Sequence, residues 1–477
     1  VSGGWFLAHG EGLRVPLQSW ASPDTTRLWV WEPPGFSTAI ALGVRSGLGA
    51  IDATRLVQAL SAAATAFFAA LTAAALLPTV AGSAAAALLA SLLLLCSPFF
   101  WELHGQALSE PLFLFGFAAW AYRTVRTRDG DGTLATVLAV LPFVRWVGLG
   151  LIPATAWNVR DGGWRRIVRT VAPALIVLVL WMVFLPSAIG DRTRHLQWIG
   201  ENLVHLPRDL AITFIHVAVP VRIPARSFFG VVAWLLVAWL WWHVLRGDRD
   251  GTDDSARDGT RARFTRLAAG AGGLALILVP TSLLLDASVR FDEQRHVVPG
   301  LLLAMIGIAG AIAVAWQRST ETRRGWWLRA TFVACAVVWS GAGTYATVAF
   351  AREVRRAPLY LAAAEWREAQ VLQWVRAQDT DARTRPLVSN QPWALWFHAD
   401  RVARIVCSPE VDRMLHTGCP VTPADPVALR EMLARQHGYL VDITLPWPGV
   451  LSVEPLAVQA GLVLVQRFPD GSVWRAP

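Results

Sequence analysis

The chain is 477 residues long, 54% of them hydrophobic and only 16% charged. With a mean hydropathy of +0.42, it is too apolar for an ordinary soluble protein and points to a lipid bilayer as its solvent. The net charge of +9 comes from 43 basic residues, every one an arginine. Their grouping in short loops after alternate apolar runs argues against a nucleic-acid surface.

In chain order, residues 1–52 read as a loop with a membrane-surface helix. Residues 59–101 then carry no charge. At roughly 20 residues per span this stretch suffices for a transmembrane hairpin, punctuated by Pro78 and Gly82. Residues 107–122 form a shorter run with Glu110 near its start. Further uncharged runs occupy 170–190, 267–285, 297–316 and 330–351, and 227–245 contains His243 alone among ionisable residues. The total is about eight spans. Arginines fall between them in clusters: Arg123, Arg126 and Arg128; Arg160, Arg165 and Arg166; residues 246–266; and Arg318, Arg323 and Arg324. The positive-inside rule makes those loops cytoplasmic.

If the loops near 126 and 160 share one side, the stretch between them enters and leaves by that side. It is interrupted by Pro142, Arg145, Gly148, Gly150 and Pro153, so two short or re-entrant helices are expected, their freed backbone groups satisfied by surrounding protein. The same count places residues 351–477 outside the cytoplasm. There, helix-like sequence at 362–377 and 426–437 alternates with strand-like runs at 439–444 and 461–468, which predicts a small α/β unit. Cys407 and Cys419 both fall in that unit, where an oxidising exterior suits a disulfide; two free thiols are the alternative. Traced backward, residues 1–52 lie outside with nothing ahead to carry them across and no signal peptide at Val1. A first transmembrane helix upstream is therefore expected.

Four passages, in this order, resemble the GT-C glycosyltransferases, the integral-membrane class that includes protein O-mannosyltransferases and bacterial transferases acting on lipid A or the cell envelope. They are LAHGEGL (7–13) with WEPPGFSTAIAL (31–42); RLVQAL (55–60); SPFFWELHGQALSEPLFLF (97–115); and FDEQRHVVPGLL (291–302). In the last, His296 stands where the family has tyrosine. VRWVGLGLIP (144–153) and VSNQPWALWFHADR (388–401) add weaker likeness. The resemblance implies a polytopic α-helical membrane protein of about ten membrane segments, with a small C-terminal extracytoplasmic α/β domain. Its parts would be an N-terminal loop (1–52), a multi-pass domain (53–350) and the α/β domain (351–477). It further implies an inverting transfer of a hexose or pentose from a polyprenyl-phosphate donor to a glycan, lipid or protein acceptor at the extracytoplasmic face of a bacterial cell membrane. The family's main catalytic acid precedes the glycine turn, ahead of this chain's start. The chain by itself is accordingly expected to be inactive, unless Glu11, Asp24 or Glu32 substitutes.

Such a transfer needs a carboxylate at the acceptor and positive charge at the departing phosphate. Glu110, before Pro111 at a helix start, is placed to orient the acceptor, bind a divalent cation (Mg²⁺ or Mn²⁺) or serve as an auxiliary base; the other reading is a charge complementing the helix dipole. Asp24 and Glu32 are the remaining catalytic candidates. Arg295 and His296, with Arg290, lie where a lipid phosphate would sit, and arginine's fork suits phosphate oxygens; interfacial anchoring is the alternative. Trp31 is a candidate to stack on sugar, with Glu102 and His104 as candidates to touch sugar or acceptor, or as solvated side chains. Arg145, a charge in an apolar stretch, calls for a partner or ligand, or else snorkels to the cytoplasmic surface. The histidines and arginines of 191–226 have no metal-ligand spacing. The Gly-rich run 268–273 follows no strand and reads as close helix packing. Two other functions stand beside the enzyme: a transporter or flippase for lipid-linked sugars, for which no internal repeat is seen, and a noncatalytic scaffold.

Overall fold

The computed structural model describes residues 1–15, 20–21, 27–28, 33–105, 108–126, 132–184, 254–284, 294–318, 323–356, 363–378, 385–406, 425–445 and 451–477, with scattered residues between 205 and 238. By internal contacts the chain divides into two compact units, Val1–Trp31 with Ala351–Pro477, and Glu32–Phe350. The smaller unit begins with α1 (Ser2–Ala8) and the antiparallel pair β1 (Arg14–Val15) and β2 (Arg27–Leu28).

The larger unit is helical. It runs α2 (Gly35–Arg45), α3 (Ala50–Ala75), α4 (Val80–Leu95), α5 (Pro98–Gly105), α6 (Glu110–Arg126), α7 (Gly132–Val144), a 3₁₀ turn (Trp146–Gly150), α8 (Leu151–Val159), α9 (Gly163–Phe184), α10 (Asp254–Leu284), α11 (Gln294–Arg318) and α12 (Arg323–Arg356). Among the described residues, 50–75, 259–280, 298–317 and 329–355 are long and apolar enough to cross a bilayer, while α4 and α5 form a pair bent by 58°. The uncharged run 59–101 breaks at Pro78, as its sequence suggests. Gly82 does not end a helix there. It lies in the first turn of α4, where its N–H donates to the Thr79 cap at 3.2 Å.

Residues 132–159 form two short helices, as the interrupted sequence predicts. Pro142 is tolerated inside α7, and the break falls at Arg145, whose backbone is extended (φ −152°, ψ 140°). The freed groups find partners: Arg145 N–H donates to Leu141 O and Gly148 N–H to Arg145 O, both at 3.0 Å. The turn packs closely because it is glycine-rich. A Cβ at Gly148 would lie 2.8 Å from the Leu141 carbonyl carbon, and one at Gly150 would lie 2.1 Å from Gly273 O on α10.

That contact explains the Gly-rich run. Gly273 opposes Gly150, and a Cβ at Gly270 would meet the Trp120 ring at 2.6 Å. Trp120 is fully buried. It continues a stack along α6, Phe113 on Phe117 at 5.9 Å and Phe117 on Trp120 at 5.6 Å. Its indole N–H donates to Thr155 Oγ1 of α8 at 2.8 Å. Small residues thus let α8 and α10 close on the aromatic face of α6. On α12, by contrast, Val337, Val338 and Tyr345 are exposed, apolar surface suited to lipid.

The smaller unit continues through α13 (Gln370–Arg376), β3 (Leu387–Ser389), α14 (Pro392–Ala399), β4 (Ala403–Ile405), α15 (Pro426–Gln436), β5 (Tyr439–Ile443), α16 (Glu454–Gln459), β6 (Val463–Phe468) and β7 (Gly471–Arg475). These form a sheet of order β4-β3-β5-β7-β6. β3 pairs in parallel with β4 and β5, while β7 runs antiparallel to β5 and β6. The parallel strands are buried along their whole length, although each carries a polar or charged side chain, Ser389, Arg404 and Asp442 respectively. Cys407 and Cys419 lie outside the described residues.

At the C-terminal ends of β3 and β5 sits a buried polar cluster. Asp442 accepts from Asn390 Nδ2 (3.0 Å), Ser452 Oγ (2.6 Å) and Val453 N–H (2.9 Å). Burial lifts its pKa above the ordinary 3.8 in spite of the hydrogen bonds from Ser452 and Val453. The folded carboxyl therefore keeps its proton to a higher pH than the unfolded one. Its contribution to stability grows as pH falls through the folded value and is complete below the unfolded one.

Two outcomes follow for unfolding experiments. Between about pH 7 and about pH 4, the unfolding midpoint of the C-terminal unit should rise for the wild type relative to Asp442→Asn, which lacks that titration; parallel pH profiles would contradict this. In the helical unit, Gly273→Ala should cost the ~1–3 kcal/mol typical of overpacking, seen as a lower thermal midpoint in detergent. An unchanged midpoint would show that the α8–α10 crossing has slack.

Candidate active site

Glu110 opens α6, followed by Pro111, which suits the first turn of a helix because its missing N–H costs no bond there. It is nonetheless buried, at 3% exposure. Its Oε1 forms an ion pair with Nη1 of Arg145, and the two side chains are 4% and 24% exposed. The same Nη1 donates a long hydrogen bond to Ser109 Oγ at 3.5 Å. Arg145 is therefore not a snorkelling cation. The break between α7 and the 3₁₀ turn delivers it to the start of α6, where an otherwise prohibitive buried carboxylate becomes tolerable.

The pair lines a cavity of about 10 Å³ with Leu103, Val147, Leu278 and Pro299, room for about one water. The N-terminal ends of α6 and α11 and the C-terminal ends of α7 and α10 thus meet at one end of the bundle. The Pro-Pro-Gly entry to α2 reaches the same neighbourhood, since a Cβ at Gly35 would lie 2.8 Å from Phe143 O, two residues before Arg145.

Chains with this architecture are known among solved structures. No family model matches the chain, and no curated protein matches its sequence. The crystal structure of ArnT from Cupriavidus metallidurans bound to undecaprenyl phosphate aligns over 100% of this chain and 92% of that one, with TM-score 0.59 and 15% identity. The apo state of the same protein gives 0.52 at 14% identity over the same shares. The chain has the GT-C glycosyltransferase fold.

Within that fold, the sequence candidates separate as follows. Glu110 lies at the cavity. Arg295 and His296 lie in the first turn of α11, one turn before Pro299 of the cavity wall; their side chains, like Asp24, Trp31, Glu32 and Arg290, lie outside the described residues. Glu102 and His104 stand on the short helix α5 rather than on an open loop. Glu102 is half-buried. His104 is buried, not solvated: Nδ1 is 2.6 Å from Phe100 O, and its ring lies 4.2 Å from that of Phe100. Among the described residues its Nε2 has no partner. Among them, too, no group of three or more His, Cys, Asp or Glu is arranged to hold a metal ion. Sequence reasoning did not identify Arg145 as the partner of Glu110. The available signal was a lone charge in an apolar run.

Removing the Glu110 carboxylate takes the counter-ion from a half-buried Arg145. Glu110→Gln should lower stability by about 1.5–3 kcal/mol, the range for hydrogen bonds to charged groups. The Glu110→Leu/Arg145→Leu double variant should fall closer to the wild type than the sum of the single losses predicts. Thermal unfolding of the wild type, Glu110→Leu, Arg145→Leu and the double variant tests this; strictly additive losses would show that the two residues act independently.

Proposed function

We propose that this protein is a membrane glycosyltransferase that takes its sugar from a polyprenyl-phosphate-linked donor and passes it to a glycan, lipid or protein acceptor at the extracytoplasmic face. The observation that carries the reading is a whole-length GT-C fold whose cavity-lining carboxylate and cation, Glu110 and Arg145, lie beside the helix bearing Arg295 and His296. ArnT, which shares the fold, has been seen bound to undecaprenyl phosphate, a polyprenyl phosphate.

In an inverting transfer, an acceptor oxygen attacks the anomeric carbon, its proton passes to a base, and the bond from that carbon to the phosphate oxygen breaks with its electrons retained by the phosphate. Arg295, with His296 and Arg290, is assigned to the leaving phosphate, where fixed positive charge offsets the charge that develops. Glu110, already neutralised by Arg145, suits holding and orienting better than accepting a proton. The base is then assigned to Asp24 or Glu32, and Trp31, Glu102 and His104 to sugar and acceptor contacts.

The test follows labelled sugar from a polyprenyl-phosphate donor into acceptor in membranes of cells that produce the protein, compared with cells that lack it. Transfer should depend on the protein. Arg295→Ala should reduce it by about 10²–10³-fold, as for removal of comparable electrostatic donors, and Arg295→Lys should recover only part. No protein-dependent transfer from any polyprenyl-phosphate sugar would overturn the reading, and full activity of Arg295→Ala would remove the phosphate role.

A further inference from the structure

We infer that Arg145 is a second ligand of the donor phosphate, held in place by Glu110, and this rests on the glycosyltransferase reading above. The guanidinium is planar and offers five N–H donors in a fixed fork. The contacts recorded for it among the described residues, the ion pair with Glu110 and the bond to Ser109, both use Nη1. Its side chain remains 24% exposed while that of Glu110 is 4% exposed. One edge of the fork is thus spent on a buried carboxylate, and Nη2 and Nε are left for an acceptor arriving from the open side.

Three features select a phosphate as that acceptor. A guanidinium fork matches two phosphoryl oxygens, which a neutral hydroxyl cannot do. The enclosed space beside the pair holds about 10 Å³, too little for a sugar, so the ligand meets Arg145 from outside the cavity. The cavity wall includes Pro299 on α11, one turn after Arg295 in the helix to which the donor phosphate is assigned. Glu110 is then a positioning residue. Its carboxylate fixes the rotamer and plane of Arg145, so that the entropy of ordering a long side chain is spent in folding rather than in binding. The helix break at Arg145 serves the same end, because an extended residue between α7 and the 3₁₀ turn lets the side chain reach across to α6.

The experiment measures binding of undecaprenyl phosphate and of undecaprenol, its uncharged alcohol, to the full chain in nanodiscs; turnover is not required. The wild type should prefer the phosphate. Arg145→Gln should reduce that preference by about 10- to 10²-fold, the equivalent of losing hydrogen bonds to a charged group, with affinity for the alcohol unchanged. Arg145→Lys, which keeps a cation opposite Glu110, should fall between. Glu110→Gln should weaken phosphate binding several-fold, because the fork is no longer held. Equal losses for phosphate and alcohol would mean that Arg145 is structural and would overturn the proposal, as would tighter phosphate binding in Glu110→Gln. A wild type that prefers the phosphate, with Arg145→Gln and Arg145→Lys retaining the full preference, would defeat the Arg145 assignment alone. A wild type with no preference would defeat the polyprenyl-phosphate reading itself.

Discussion

A carboxylate buried among apolar helices must find a cation, and much of the helical unit is arranged around that requirement. Glu110 and Arg145 lie on different helical segments, one at the beginning of α6 and the other just past the end of α7. For them to meet, α7 has to stop at the level where α6 starts, and Arg145 has to leave helical geometry. An isolated charge in that position would cost several kcal/mol in an apolar medium. The pair therefore constrains the path of residues 132–159 more tightly than their weak helix signals do.

The rest of the bundle supplies the close packing in which the pair sits. Gly148 and Gly150 let the turn after Arg145 fold against α7 and α10, and Gly270 and Gly273 admit Trp120 and the turn at distances no side chain would allow. The stacked Phe113, Phe117 and Trp120 then run along α6 from near Glu110 toward its other end. Tight packing here keeps the Glu110 carboxylate at 4% exposure and Arg145 at 24%, and the lowered local dielectric strengthens their attraction.

The smaller unit solves a different problem. Its sheet is buried at β3, β4 and β5, and polar side chains at the end of β3 bond to the backbone at the end of β5 and just beyond it: Asn390 both donates to Ile443 O and accepts from Ile443 N–H at 3.0 Å, while Gln391 Nε2 donates to Ile443 O and Leu445 O at 3.1 Å. A fold of this kind is fixed by layer pattern rather than by particular side chains, so it persists where identity falls to 15%.

Composition and periodicity by themselves determined that the chain is a multi-pass helical membrane protein ending in a small α/β unit. In a bilayer, apolar runs of this length satisfy their backbone groups as helices, and alternating helix- and strand-like runs beyond residue 351 indicate a small α/β unit. The break in 132–159 and the packing role of 268–273 were also legible, because glycine and proline act locally. Burial of His104 was not, since which side chains of the short, mixed segment 98–105 turn inward is decided only when it packs against α3, α4 and α6. Nor was the partner of Arg145. A lone charge in an apolar run announces that a partner exists, but which of the chain's acidic residues supplies it depends on where two helices end in space. That is decided by tertiary packing, because Coulombic pairing acts through distance and burial and carries no trace in sequence separation.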